Sequence, residues 1–227
     1  LDTALSQFAA VVDSDPALPR VAVILIDDGT GPLGPDALGA FPFPVSFAID
    51  PARPDAAEVA TAYRDAGFEV LGIARVPEGA RASDVEVSLA ATLDSIPGVI
   101  GLMEAPEGGL QTSRATTTQA ASVLAASGHG LVMMPKGLNT AQQLAVREGA
   151  QAVTVFRDFD GEGQDARMIR RFLDQAAFRA RQDGAVVMMG RLQADTVSAL
   201  VLWGLQDRAA TVSLVPVSQI LLNPPQP

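Results

Sequence analysis

The chain of 227 residues carries 16 Lys and Arg against 26 Asp and Glu, a formal net charge of −10, and has no cysteine. That balance argues against nucleic acid or an anionic membrane surface as partner, since both select basic surfaces, and the missing cysteine excludes thiolate metal sites, thiol nucleophiles and disulfides. Hydrophobic residues make up 48% and charged residues 19%, enough to bury a core, while no apolar run reaches the ~18–20 residues of a bilayer span.

In chain order, residues 1–19 read as a lead-in segment with a short helix within Asp2–Val12. The first apolar run, Val21–Ile26, ends in Asp27 and Asp28 and is followed at once by Gly29. Two adjacent carboxylates at a strand end can hold a metal, cap a helix or act as general base. Further runs rich in Val, Ile and Leu lie at Val45–Ile49, Glu69–Ile73, Val99–Leu102, Leu131–Met134, Ala152–Val155, Ala185–Met189 and Val212–Val215. Continuous apolar character suits strands buried on both faces of a parallel sheet.

Helical patterns separate them, at Pro54–Ala66, Ser83–Ser95, Thr116–Ser127, Thr140–Glu148, Gln164–Gln182 and Ala194–Gln206. Ser83 with Glu86 predicts a capping box. Gly128, Gly149 and Gly184 predict helix ends. The Gly- and Pro-rich link from Gly29 to Phe43 leaves room for a short helix around Asp36–Ala40. Residues 20–222 therefore read as one α/β domain, an irregular (β/α) barrel of about seven to eight parallel strands, with an open doubly wound sheet as the alternative. Residues 223–227 read as a loose tail.

In parallel α/β folds, chemistry gathers at the carboxyl ends of the strands. The residues there are Asp27 and Asp28, Asp50, Arg75, Glu104, Lys136, Arg157 and Asp158 with Asp160 behind, and Arg191. If they share one rim, they form a polar cleft. The only histidine, His129, lies between two glycines in a helix-to-strand turn at the opposite end. Met133, Met134, Met188 and Met189 read as core filler, and Trp203 as core. The loop Gly161–Asp165 lacks the lysine of a phosphate-binding loop.

The segments "IDD", "PVSFAIDP", "GFEVLGIARVPEG", "SIPGVIGLMEAPEGG", "GAVVMMGRLQADTVSAL" and "VSLVPVSQI", in this order, resemble the divergent polysaccharide deacetylases, a branch of the NodB-type carbohydrate esterases. The resemblance runs from about Arg20 to Leu222. It implies an irregular (β/α) barrel, an exported protein of the bacterial periplasm or cell envelope, and a metal-dependent hydrolase that removes N-acetyl groups from glycans. In such relatives an aspartate of the first acidic pair and two histidines hold a divalent metal, which activates water. This chain departs from that pattern. An "NNHMGS"-like segment is replaced by Met103–Gly108, with Ala105 at the histidine's place. A "GHPHPET"-like segment is replaced by Gly190–Thr196, with Arg191 and Gln193 where histidines would stand. An aspartate expected after the fifth strand is Met133 or Met134. Asp27, Asp28, Arg157 and Asp158 remain as the catalytic remnant.

Zinc hydrolase sites normally include histidine, so a conventional zinc deacetylase is not expected. No resident cofactor is expected; if a divalent cation binds, Asp27, Asp28 and Glu104 are its ligands. Arg191 is expected to bridge Asp27 and Asp28, supplying the charge of the missing metal. Asp50, Arg75, Glu104, Lys136 and Arg191 are the expected ligand-binding residues. The reading is a deacetylase-like domain, inactive as a zinc enzyme, that binds an envelope glycan or an envelope protein, with no nucleic acid partner and no membrane insertion. One alternative is an active hydrolase with a rebuilt site. Asp27, Asp28, Glu104, Glu107, Asp158 and Asp160 would serve Mg²⁺ or Ca²⁺, or work without metal. Another is a different α/β barrel protein.

Overall fold

The computed structural model describes residues 2–31, 33–35, 41–77 and 79–225. The helix expected around Asp36–Ala40 lies outside the described residues. The strands are β1 (Arg20–Asp27), β2 (Ser46–Ile49), β3 (Glu69–Ala74), β4 (Gly101–Glu104), β5 (Gly130–Met133), β6 (Ala152–Thr154), β7 (Arg157–Asp158), β8 (Ala185–Arg191) and β9 (Ser213–Leu214). The helices are α1 (Ala4–Gln7), α2 (Ala56–Asp65), α3 (Ala82–Ser95), α4 (Arg114–Ser127), α5 (Thr140–Arg147), α6 (Ala166–Asp183), α7 (Ala194–Gly204) and α8 (Val217–Leu222).

All pairings are parallel, in the order β6-β5-β4-β3-β2-β1-β8-β7, with β9 beside β1. The two ends of this order are one stretch of chain. The Val155 amide donates to Met133 of β5, and the next amide, Phe156, donates to Val187 of β8. The chain changes partner between these two residues and so curls the sheet into the irregular barrel expected. Before the change, β6 and β8 part around a gap of about 290 Å³ lined by Val153, Thr154 and Val187.

Strand alternation decides what each side chain meets. In β1, Val21, Val23 and Leu25 face the outer helices, while Ala22, Ile24 and Ile26 fill the lumen. Both sets are buried, which is why β1 reads as an unbroken apolar run. Each of the Val, Leu and Ile side chains contributes roughly 1.5–3 kcal/mol by leaving water. The lumen is floored by α8 and by Leu5 of α1, so part of the lead-in completes the barrel. The expected lead-in helix is shorter than Asp2–Val12, only four residues. Beneath the lumen the fully buried Glu69 carboxylate accepts from Ser46 Oγ at 2.7 Å, the Ser218 amide at 3.0 Å and the Ala10 amide at 3.3 Å.

The helix ends follow local chemistry. Ser113 caps α4 by accepting from the Thr116 amide, and Gly128 closes it at φ 73°. Asp165 caps α6. Gly149 and Gly184 take positive φ at the predicted ends. The Ser83–Glu86 box does not form. Helix α3 starts earlier, and Asp84 accepts from the Arg81 amide at 2.9 Å. Trp203 is fully buried and donates from Nε1 to Asp174. At Gly101 a Cβ would sit 2.3 Å from the Gly130 carbonyl oxygen, so β4 and β5 approach only because that position is glycine.

Candidate functional site

Among the described residues, the rim at the carboxyl ends of the strands holds three separate ionic groups. The first surrounds Asp27. This residue follows Leu25 on the outer face of β1, so its carboxylate turns away from the lumen toward α2. Oδ1 accepts from Arg53 Nη1 at 2.6 Å and from the Gly29 amide at 2.9 Å, and Oδ2 accepts from the Tyr63 hydroxyl at 2.8 Å. Arg53 also makes a two-pronged pair with Asp55, both contacts 2.9 Å. Gly29 has φ +74°, and a Cβ there would meet the Arg53 guanidinium at 3.0 Å. The glycine after the acidic pair therefore admits the arginine. Burial first, then the bond to Asp27, pushes the Tyr63 phenol above its ordinary value, so it stays a donor. The ring stacks on Phe47 at 3.9 Å. Asp28 accepts from the Thr30 amide and hydroxyl at 2.9 and 2.7 Å. Partial burial opposes its ionisation, but the Thr30 bonds and the Arg53 charge outweigh it and hold the carboxyl below the usual range.

The second group joins β7 to β8. Arg191 makes a two-pronged pair with Asp158 at 2.7 and 2.9 Å and reaches Asp160 at 2.8 Å. Asp160 is buried and also accepts from the Arg191 amide and the Thr196 hydroxyl, each at 2.7 Å. The hydrogen bond to Asp158 outweighs desolvation and raises the guanidinium further above its ordinary value. The expected bridge from Arg191 to Asp27 and Asp28 is thus overturned. Arg191 is in register with Ile26, on the lumen face, whereas Asp27 lies one residue on and points the other way.

The third group crosses β2, β3 and the loop after β4. Arg75 pairs with Asp50 at 2.8 Å and with Glu107. Beside it lies a cleft of about 250 Å³ lined by Glu107, Gln111, Thr112, Met134 and Lys136. Glu104 forms its floor and is spent on holding the loops. It accepts from the Leu110 amide at 2.9 Å, Gln111 Nε2 at 2.6 Å and the Met134 amide at 3.0 Å. Lys136 Nζ donates to the Gln111 carbonyl at 3.0 Å.

Several expected roles need correction. Glu104 is fully buried, packs on the side of Leu102, and its carboxylate is held by Leu110, Gln111 and Met134 rather than joined to Asp27 and Asp28. Arg157 leaves the lumen altogether. Its guanidinium lies 4.3 Å from the centre of the Phe172 ring on α6, a packing contact. Among the described residues no three His, Cys, Asp or Glu side chains come together to hold a metal. The all-carboxylate set therefore does not assemble. The residues present do not fit a divalent ion, because arginine, tyrosine and backbone donors occupy the rim carboxylates. His129 stays at the other end of the barrel, its Nδ1 3.0 Å from Ser127 Oγ.

Asp50, Arg75 and Lys136 do share one part of the rim. Arg53, Tyr63 and Gln111 were not foreseen. Arg53 could have been found as the one cation between Asp50 and Asp55, and Tyr63 as the sole tyrosine of the chain. Gln111 carried no signal.

A family model described as "Divergent polysaccharide deacetylase" matches residues 24–221. No curated protein sequence matches the chain. Among solved structures, an uncharacterized protein of Agrobacterium tumefaciens C58 superposes with a TM-score of 0.82 at 16% identity, covering 96% of this chain and 95% of that one. The catalytic domain of a peptidoglycan N-acetylglucosamine deacetylase from Eubacterium rectale gives 0.52 at 12% identity, over 91% and 92%. PdaA of Bacillus subtilis, a family 4 carbohydrate esterase, gives 0.52 at 10% identity, over 96% and 87%. At these identities the likeness is one of fold.

Proposed function

Because the chain belongs to the divergent polysaccharide deacetylase family, we propose that it is a glycan-binding domain, which keeps the deacetylase barrel but not metal-dependent hydrolysis, and that it acts in the bacterial cell envelope. The observation that carries this reading is the pairing of Asp27 with Arg53 and Tyr63. A carboxylate held by three donors, 6% exposed and turned away from the lumen, is poorly placed to take a bound glycan or to act as base for a water above the lumen. The cleft between the loops after β4 and β5 supports the binding half of the reading. Glu107, Thr112 and Lys136 present hydrogen-bonding groups there, with Arg75 beside them, 46% exposed at its side chain. Such groups suit sugar hydroxyls and acetamides, which need directional partners more than apolar area. The family's fold relative from Eubacterium rectale acts on peptidoglycan N-acetylglucosamine, which makes envelope glycan the first ligand to test.

The test combines co-sedimentation with insoluble peptidoglycan and an assay for released acetate. The expected result is sedimentation, weakened about tenfold in an Arg75→Ala/Lys136→Ala variant, with no acetate above the protein-free control. Acetate release that scales with protein would make the domain an enzyme. Failure to sediment would remove the glycan.

A further inference from the structure

Between α4 and α5 a groove of about 410 Å³ opens beside the rim cleft, and Gln111 lines both. Arg114 and Arg147 line its two sides, with Ser113, Thr117 and Gln143 between them. Among the described residues neither arginine has a carboxylate within 4 Å, and no Asp or Glu lines the groove. Elsewhere on the rim Arg53, Arg75 and Arg191 are each neutralised by two carboxylates.

We propose that this groove is a subsite for an oxyanion carried by the glycan, either a sugar carboxylate or a sugar phosphate. The inference rests on the glycan reading above and names the substrate class. Two guanidinium groups lining one groove that holds no acidic side chain can grip an external anion with paired N–H bonds. The backbone adds to the same field. The groove is bordered by the first turn of α4, whose N-terminal amides carry partial positive charge, and by α5 along its length from Thr140 to Arg147. Asn139, ahead of α5, makes no capping bond to that helix, and its Oδ1 accepts instead from the Lys136 amide. A neutral glycan would gain nothing from this arrangement. An acidic one would lie with its sugar in the rim cleft and its anion past Gln111.

Titration calorimetry with three probes tests this. They are N,N′-diacetylchitobiose, the disaccharide of N-acetylglucosamine and N-acetylmuramic acid with its single carboxylate, and N-acetylglucosamine 1-phosphate. At least one acidic probe should bind about tenfold more tightly than chitobiose. Arg114→Ala/Arg147→Ala, both exposed positions, should erase that preference and leave chitobiose unchanged. Raising salt from about 50 mM to about 500 mM should also reduce it. The acidic probe that gains identifies the source of the anion. Equal affinity for all three probes, or a preference that survives the double substitution, would overturn the subsite and leave the glycan reading intact. Binding of an acidic probe but not of chitobiose would keep the subsite and remove the rim cleft as a sugar site. No binding of any probe would end both.

Discussion

Arg53 Nη1 lies 2.6 Å from Asp27 Oδ1, with side chains only 13% and 6% exposed. The pair places a guanidinium on the first aspartate of the acidic pair that ends β1. Breaking a buried pair from one side leaves an uncompensated charge and costs about 3 kcal/mol. Arg53→Ala should therefore lower stability by about that amount. A double-mutant cycle with Asp27→Asn should return a coupling of at least about 1.5 kcal/mol. Additive effects would mean that the two groups do not sense each other.

Arg191 separates Asp158 from Asp160, and the carboxylates depend on it for their positive partner. Arg191→Ala should shift the urea midpoint down by the equivalent of about 3 kcal/mol, with the slope unchanged. Adding Asp158→Asn should recover part of that loss, since it removes one of the two facing charges. If the single variant unfolds at the wild-type midpoint, the cluster contributes nothing to β7–β8 cohesion.

Glu69 sets a pH dependence. Burial raises its carboxyl above the ordinary 4.5, against the bonds from Ser218 and Ser46. The native state then holds the proton more tightly than the unfolded chain. Stability falls as pH climbs from about 4.5 through the raised value. Glu69→Gln should abolish that fall and be the more stable protein at neutral pH. His129 works the other way, its pKa lowered by burial, so it gives stability that is lost as pH drops below about 6.5. It is common to both proteins, and the difference curve isolates Glu69. Parallel curves would refute the assignment.

Gly101→Ala should cost about 2–4 kcal/mol, because its methyl would fall 2.3 Å from the Gly130 carbonyl oxygen and force β4 from β5. Thermal melts of the variant measure this directly.

The barrel was legible because its strands are apolar runs broken by helical patterns, a signal that survives without any tertiary contact. The rim was legible as a list of strand-end residues, since topology alone puts Asp27, Asp50, Arg75 and Arg191 on one end. Which of them meet was not. Asp27 and Arg191 differ by one step of strand alternation, and that step sends them to different partners. Glu104 looked like a ligand because it ends β4, yet its parity with Leu102 turns it outward to hold two loops. Arg53 sits in a loop with no periodicity, and its role is fixed only by the positive φ of Gly29 across the rim. Arg157 belongs to the stretch where the chain changes strands, and there simple alternation gives no guide.

Metal content decides whether the acidic rim still coordinates a cation. The native chain would be dialysed against zinc, magnesium and calcium in turn, freed of excess, and analysed by mass spectrometry. With Asp27 held by Arg53 and Tyr63, each metal should remain below about a tenth of an equivalent. Close to one equivalent of any of them would mean that the acidic rim still builds a metal site and that the domain is not the metal-free binder proposed above.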